Sequence, residues 1–370
     1  MQKIKNVIKD STVFGFIYLG IMRVFLAGLQ LFVRVNPQQI MFASYSGRQI
    51  SDTPLAAFEI LRDDPEFADY DFIWAVNEPN DFADVPGAKK IKMDSIRYFW
   101  YLLQSKYWVS NASIERLIPF HHPKNVYIQF WHGIPLKTLG HAEPDLPKLV
   151  QKWYDEVEID YLFANGPYDA EKLHELFPKA KKVMEHGQLR KWLSDKAAEQ
   201  LTKFASKQFD TGKPVLLYVP TYRNEAAPNA FLNPEQLTEL METYQVIYRG
   251  HYFSEHLTLP ELINGNEFDL YDLFAKADVL ITDYSSVFFD FAYWQKPIYL
   301  YESDLNDYQA KRGFYFDPHT LGLPIARDFN ELKEALANQT CSKDSLNQLE
   351  QRFDPHPTSE TVQILKACFK

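Results

Sequence analysis

Cysteine is scarce: the 370 residues contain only Cys341 and Cys368, with neither metal-ligand spacing nor a local partner. This leaves no disulfide framework and fits reduced thiols in a cytoplasmic protein. A basic excess is also missing. The net charge is −10 and no basic stripe is interleaved with aromatics, which argues against a nucleic-acid binder. There is no internal repeat of solenoid length and no low-complexity tract. What remains is a chain long enough for two α/β domains with substantial cores. Its 15% aromatic content suits a globular protein and argues against disorder.

Long apolar runs are confined to the N-terminus, where Val13 to Val33 is almost wholly apolar and follows Lys3, Lys5 and Lys9. No small-residue cleavage site follows, so a signal peptide fits poorly. A transmembrane helix has the length, but Arg23 near the bilayer centre would cost about 2.5–3.5 kcal/mol. Thr12, Gly20, Arg23, Ala27, Gln30 and Arg34 share one helical stripe. That pattern predicts a helix lying in an anionic membrane interface, with a helix buried against the first domain as the alternative.

The chain is organised around Asp269 to Phe291, DLYDLFAKADVLITDYSSVFFDF. Leu270, Leu273 and Phe274 have helical spacing, Val279 to Ile281 reads as a buried parallel strand, and a new helix begins at Val287. The loop Thr282 to Ser286 offers hydroxyls and backbone N–H groups at a helix start, which favours an anion such as phosphate. Ser285 and Ser286 fit plain helix capping equally well. Other strand ends break the tie. Pro214 to Val219 leads into Thr221 and Arg223, and Gln245 to Tyr248 leads into Arg249, Gly250 and His251. Lys296 to Leu300 is a further strand. Three strand ends carrying Thr/Arg, Arg/His and Asp/Ser/Ser converge on one anion site of the pyrophosphate type.

The earlier half alternates in the same way. Strands are expected at Gln39 to Ala43, Asp71 to Val76, Lys90 to Lys92, Tyr107 to Val109, Val126 to Trp131 and Tyr161 to Ala164. Helices are expected from Pro54 to Leu61, with Asp52 or Thr53 as cap, from Ser95 to Ser105, and from Pro167 or Tyr168 to about Phe177. This is the signature of a doubly wound parallel sheet, on which ligands bind beyond the carboxyl ends of the strands. His132 stands at such an end, beside Gly133, which lets a ligand approach closely, and an imidazole there can act as a general base. Lys137 fits a phosphate, the acceptor or solvent.

Five stretches then occur in order: FWHGIPLKTLG, VPTYR, YRGH, ITDYSSVFFDF and YQAKRGFYFD. Together they resemble the CDP-glycerol glycerophosphotransferases of teichoic acid synthesis, over roughly Met41 to Asp317. The resemblance implies two Rossmann-like domains of the glycosyltransferase-B type, an active site in the interdomain cleft and peripheral attachment to the cytoplasmic face of the cell membrane. The segments expected are a membrane-association helix over 1–35, an acceptor-side domain over 36–195, a CDP-donor domain over 196–350 and a helix over 351–370 packing back on the body.

By similarity, His132 takes the proton of the acceptor hydroxyl, which attacks the β-phosphorus of CDP-glycerol and expels CMP. His251 stabilises the pyrophosphate. Thr221, Arg223, Arg249, Ser285, Ser286 and Arg312 are donor-side positions, and Asp283 and Asp290 either orient the loop or touch the donor. Gly133 and Lys137 stand on the acceptor side. No metal or cofactor is implied. The implied partners are CDP-glycerol, an undecaprenyl-linked acceptor lipid, the anionic membrane surface and other wall-polymer enzymes, but no nucleic acid. Ile134, Leu189 and Tyr252 depart from the family's usual Thr, Pro and Pro. With no extra domain in view, a primase or short polymerase is expected. CDP-ribitol or capsule-polymer transfer, a nucleotide-sugar glycosyltransferase and an inactive scaffold are the alternatives.

Overall fold

The structure is a computed structural model that describes residues 9–120, 122–144, 146–200, 212–221, 223, 230–250 and 259–370. His251 and Tyr252 lie outside the described residues. The chain divides into two compact units. One comprises the residues up to His132, Leu139–Arg190 and Pro355–Lys370; the other comprises Gly133–Thr138 and Lys191–Asp354. The division thus falls at Arg190 rather than at 195, and the loop after His132 counts with the second unit.

The first unit is built on seven parallel strands: β1 (Asn36–Ala43), β2 (Asp71–Val76), β3 (Ala88–Lys92), β4 (Ser105–Ser110), β5 (Val126–Gln129), β6 (Tyr161–Ala164) and β7 (Val183–Glu185). Their order is β3-β2-β1-β4-β5-β6-β7. Met41 of β1 lies opposite both Ile73 and Trp108, so the centre of the sheet is apolar on both flanks. The order reverses between β1 and β4, where the following loops diverge and a parallel sheet offers its ligand crevice. β7 has three residues, too few for a periodic signal, and was not expected from sequence. β5 ends at Gln129, two residues earlier than expected, because Trp131 turns out of the sheet with φ +59°.

Around this sheet lie α1 (Thr12–Gln30), α2 (Asp52–Arg62), α3 (Ile96–Gln104), α4 (Lys148–Glu156) and α5 (Pro167–Leu176). The α2 cap is neither Asp52 nor Thr53: Ser51 stands there, and Asp52 is the first helical residue, at φ +59°. In helix α1 the expected polar stripe divides: Thr12, Gly20 and Ala27 are exposed, but Arg23 is not. Arg23 faces inward and pairs with Glu156 at 2.5 Å, while Tyr18 donates to the carbonyl of Arg116. Leu19 and Leu26 are buried, and Phe25 meets Phe99 edge-on. The packing supports the alternative of a helix seated on the body, but only for one face. Val13, Ile17, Ile21 and Val24 form an outward stripe at helical spacing, each more than half exposed. The helix is long and apolar enough to cross a membrane.

The second unit resumes at Lys191, within α6 (Arg190–Gln200), and carries six parallel strands. They are β8 (Val215–Val219), β9 (Gln245–Tyr248), β10 (Ile263–Asn264), β11 (Val279–Thr282), β12 (Ile298–Tyr301) and β13 (Ile325–Ala326), in the order β10-β9-β8-β11-β12-β13. The two-residue edge strands β10 and β13 had no sequence signal. Helices α7 (Pro234–Thr243), α8 (Leu270–Lys276), α9 (Val287–Ala292), α10 (Leu305–Arg312), α11 (Phe329–Ala337) and α12 (Lys343–Phe353) surround the sheet. The order reverses between β8 and β11, whose loops carry Thr221 and Asp283 to Ser286. A last helix, α13 (Thr358–Ala367), belongs to the first unit. There Phe369 packs on Phe67 and Tyr107, and the Tyr107 hydroxyl donates to its carbonyl. Both units are doubly wound parallel sheets, the fold class expected from the sequence.

Candidate active site

In the first unit, the loops after β1, β4 and β5 bring Tyr45, Asn111 and His132 together at the reversal of strand order. His132 is exposed, and its Nδ1 lies 2.8 Å from the carbonyl oxygen of Asn111. A carbonyl only accepts, so Nδ1 is the protonated nitrogen, and in the neutral ring Nε2 carries the lone pair. The ring is flanked by Trp131, with centroids 4.1 Å apart, and by Tyr45 at 5.9 Å.

Asn111 is itself held from beneath. Its amide nitrogen donates to Asp52 at 2.8 Å, and its side-chain oxygen accepts from the Tyr45 backbone at 2.8 Å. The Tyr45 hydroxyl also donates to Asp52, and Arg190 pairs with the same carboxylate at 3.2 Å. Burial opposes ionisation of Asp52, but the Arg190 charge and these hydrogen bonds outweigh it and hold the carboxyl below its ordinary range. Asp52, Tyr45, Asn111 and Arg190 were not singled out as site residues from sequence. Asn111 directly follows a strand with no motif of its own, and Arg190 lies 138 positions from Asp52.

In the second unit, Asp283 is buried and accepts the Thr221 backbone N–H at 2.9 Å. It orients the loop, one of the two roles expected for it. Arg223 is spent in the same way. Its Nε and Nη2 form a fork on Asp304 at 2.6 and 2.9 Å, and Nη1 reaches Asp283 at 2.8 Å and the Thr221 carbonyl. Burial alone would ease loss of its proton, yet the two carboxylates hold its pKa well above the ordinary value. The guanidinium also lies 5.1 Å from the ring of Tyr284 and 5.0 Å from that of Tyr308. This arrangement differs from the phosphate-facing one expected for Arg223. Arg249 likewise gives Nη1 to the carbonyls of Gly265 and Phe268.

The serines stand differently. Ser285 Oγ accepts a long 3.4 Å hydrogen bond from Val287, whereas Ser286 makes no side-chain capping bond. Helix α9 has six residues, so its dipole is small and the hydroxyls are the main polar feature of this end. Thr221 Oγ1 is buried with no hydrogen-bond partner among the described residues. Gly133 has its own explanation: a Cβ there would lie 2.5 Å from Ser286 Oγ, so the glycine admits the Ser286 side chain. Beyond it, the Leu136 carbonyl accepts from Tyr315, and Lys137 lies 5.8 Å from the Tyr308 ring. The Thr138 hydroxyl donates to the carbonyl of Arg312, the last residue of α10. Ile134, where the family usually has threonine, is buried. Asp290 lies in the first turn of α9, half-buried.

The family model for CDP-Glycerol:Poly(glycerophosphate) glycerophosphotransferase matches residues 25–357. The chain belongs to this family. As a glycerophosphotransferase it is an enzyme of CDP-glycerol-dependent transfer in teichoic acid synthesis. It is 34% identical over 310 residues to the teichoic acid poly(glycerol phosphate) polymerase of Bacillus spizizenii, covering 76% of this chain and 78% of that one. It is 29% identical over 371 residues to the teichoic acid glycerol-phosphate transferase of Staphylococcus aureus, covering 90% and 89%. Among solved structures, the wall teichoic acid polymerase TagF soaked with CDPG superposes with a TM-score of 0.77 at 28% identity, over 90% and 89% of the two chains.

Proposed function

We propose that this glycerophosphotransferase moves glycerol phosphate from CDP-glycerol to a hydroxyl of a lipid-linked acceptor. The observation that carries the reading is His132: an exposed imidazole beside the strand-order reversal, whose Nδ1 is held by a carbonyl, so that in the neutral ring Nε2 is the basic nitrogen. Nε2 takes the acceptor proton, the acceptor oxygen bonds to the β-phosphorus, and the bond from that phosphorus to the CMP oxygen breaks. On the donor side, Thr221, Ser285 and Ser286 supply hydroxyls to phosphate oxygens. Arg223, Arg249 and Asp283 hold the loops that present them, while Arg312, Asp290 and Lys137 stand on the flanking segments. His251 keeps the role the family resemblance implies, steadying the charge on the pyrophosphate oxygens as CMP leaves.

The outward stripe of α1 supports a peripheral seat on the membrane. Deleting residues 1 to 35 would also strip Leu19 and Leu26 from the core, so Ile17→Asp with Ile21→Asp is the cleaner variant. It should lose binding to phosphatidylglycerol vesicles while keeping the wild-type melting temperature. Undiminished vesicle binding would make the helix purely a part of the body.

CMP release by the purified full-length protein, with a lipid-linked disaccharide acceptor, tests the reaction. Release with CDP-glycerol and not CDP-ribitol supports the reading. Release with CDP-ribitol alone moves the donor specificity. Release with neither overturns the proposed pairing of donor and acceptor.

A further inference from the structure

Away from the strand ends described above, Glu360 of α13 sets its carboxylate between two imidazoles. Oε1 is 3.0 Å from His186 Nδ1, and Oε2 is 3.8 Å from His356 Nδ1. One ligating atom from each of the three side chains lies within 4.8 Å of the others. The two rings meet at 63°, with centroids 5.8 Å apart. His186 follows β7, two strands along the sheet from β5, while His356 and Glu360 come from the C-terminal segment.

His186 and Glu360 are within bonding distance, but 3.8 Å is too long for a hydrogen bond between Glu360 and His356. Donor atoms around a tetrahedral ion with bonds of ~2.1 Å stand roughly 3.4 Å apart, a spacing these side chains reach by small rotations. The backbone beneath them is already held. The Thr361 hydroxyl, next to Glu360, donates to the His186 carbonyl at 2.6 Å, and Thr361 is buried. Side-chain exposures of 41, 24 and 42% for His186, His356 and Glu360 leave an entry path.

We propose that His186, His356 and Glu360 bind a divalent transition-metal ion that fastens α13 to the end of β7. Two imidazoles and one carboxylate suit zinc, with water as the fourth ligand, whereas magnesium and calcium prefer all-oxygen sites. The ion is structural. It joins residues 170 positions apart and stabilises the folded first unit by binding it in preference to the unfolded chain. The proposal is independent of the transfer reaction.

The test uses full-length protein purified without a polyhistidine tag and stripped with EDTA. Titration with Zn²⁺ against a colorimetric indicator should show one saturable equivalent and a raised melting temperature. Co²⁺ should give the visible absorption of a low-coordinate site. Both signals should vanish in His186→Ala, His356→Ala and Glu360→Ala, and persist in His141→Ala, which removes an unrelated His–Asp pair. His356→Cys should restore binding, which a folding defect would not allow. Absence of saturable binding overturns the proposal. So does binding that survives any of the three alanine substitutions.

Discussion

At the end of β5, His132 spends one nitrogen on the Asn111 carbonyl and stays exposed. At the end of β8, Arg223 has its guanidinium enclosed by Asp304, Asp283 and Thr221. Arg223 follows a strand at a reversal of strand order, His132 follows the strand next to one and reaches it through Asn111, and both residues suit phosphoryl chemistry. The difference is exposure: His132 is open to solvent, whereas the Arg223 side chain is 4% exposed. A side chain can serve a ligand only where the ligand can reach it. In the second unit Arg223, Arg249 and Asp283 are engaged in shaping loops, and Thr221, Ser285 and Ser286 bring neutral hydroxyls to the same strand ends. A buried ion-pair network of this kind also makes the loop costly to disturb.

The largest effect that would break this comparison is on catalysis. His132→Ala should lower CMP release by about 10²–10⁴-fold, the range for loss of a general base, with CDP-glycerol affinity nearly unchanged by calorimetry. A comparable loss of donor affinity would remove His132 as base. Next, Arg223→Ala should cost about 3–5 kcal/mol in urea unfolding, because it leaves Asp283 and Asp304 buried without their cation. If stability holds while only donor affinity falls, Arg223 is a ligand-binding residue after all.

A third measurement concerns Glu115, on the loop that supports α1. It accepts from Ser113 at 3.1 Å and from the Trp153 indole. Burial pushes its carboxyl up to about 7, against hydrogen bonds that favour the charge. The folded protein therefore keeps a proton that the unfolded chain releases near pH 4.5. The stabilisation is complete below that pH, declines across 4.5–7 and is lost above the folded value, roughly 3 kcal/mol in all. Relative to wild type, Glu115→Gln should flatten the unfolding midpoint across this window; an unchanged slope would assign it to other groups.

The smallest expected effect concerns Gly133. Gly133→Ala should cost about 1–3 kcal/mol by crowding Ser286, and much of that cost should disappear when Ser286→Ala is added. Strict additivity of the two substitutions would mean the glycine serves its own φ of +153° rather than the serine.

Much was legible from local pattern. Apolar runs bounded by turns marked the main strands of both sheets, and the helical spacing from Leu270 marked α8, which Asp269 caps by accepting from the Tyr271 N–H. The positions of His132, Thr221 and the two serines at strand ends followed from the same alternation. Edge strands of two or three residues did not, because their existence depends on a neighbour rather than on their own period.

The α/β architecture and the list of polar residues that strand ends carry both follow from short-range periodicity and turn chemistry. Only the tertiary structure decided which of those residues are occupied. Asp52 meets Arg190, Arg223 meets Asp304, and Arg23 turns inward to Glu156, each across 81 to 138 positions of chain. Hydrogen-bond saturation is a property of partners in space, and no spacing along one strand or helix contains it.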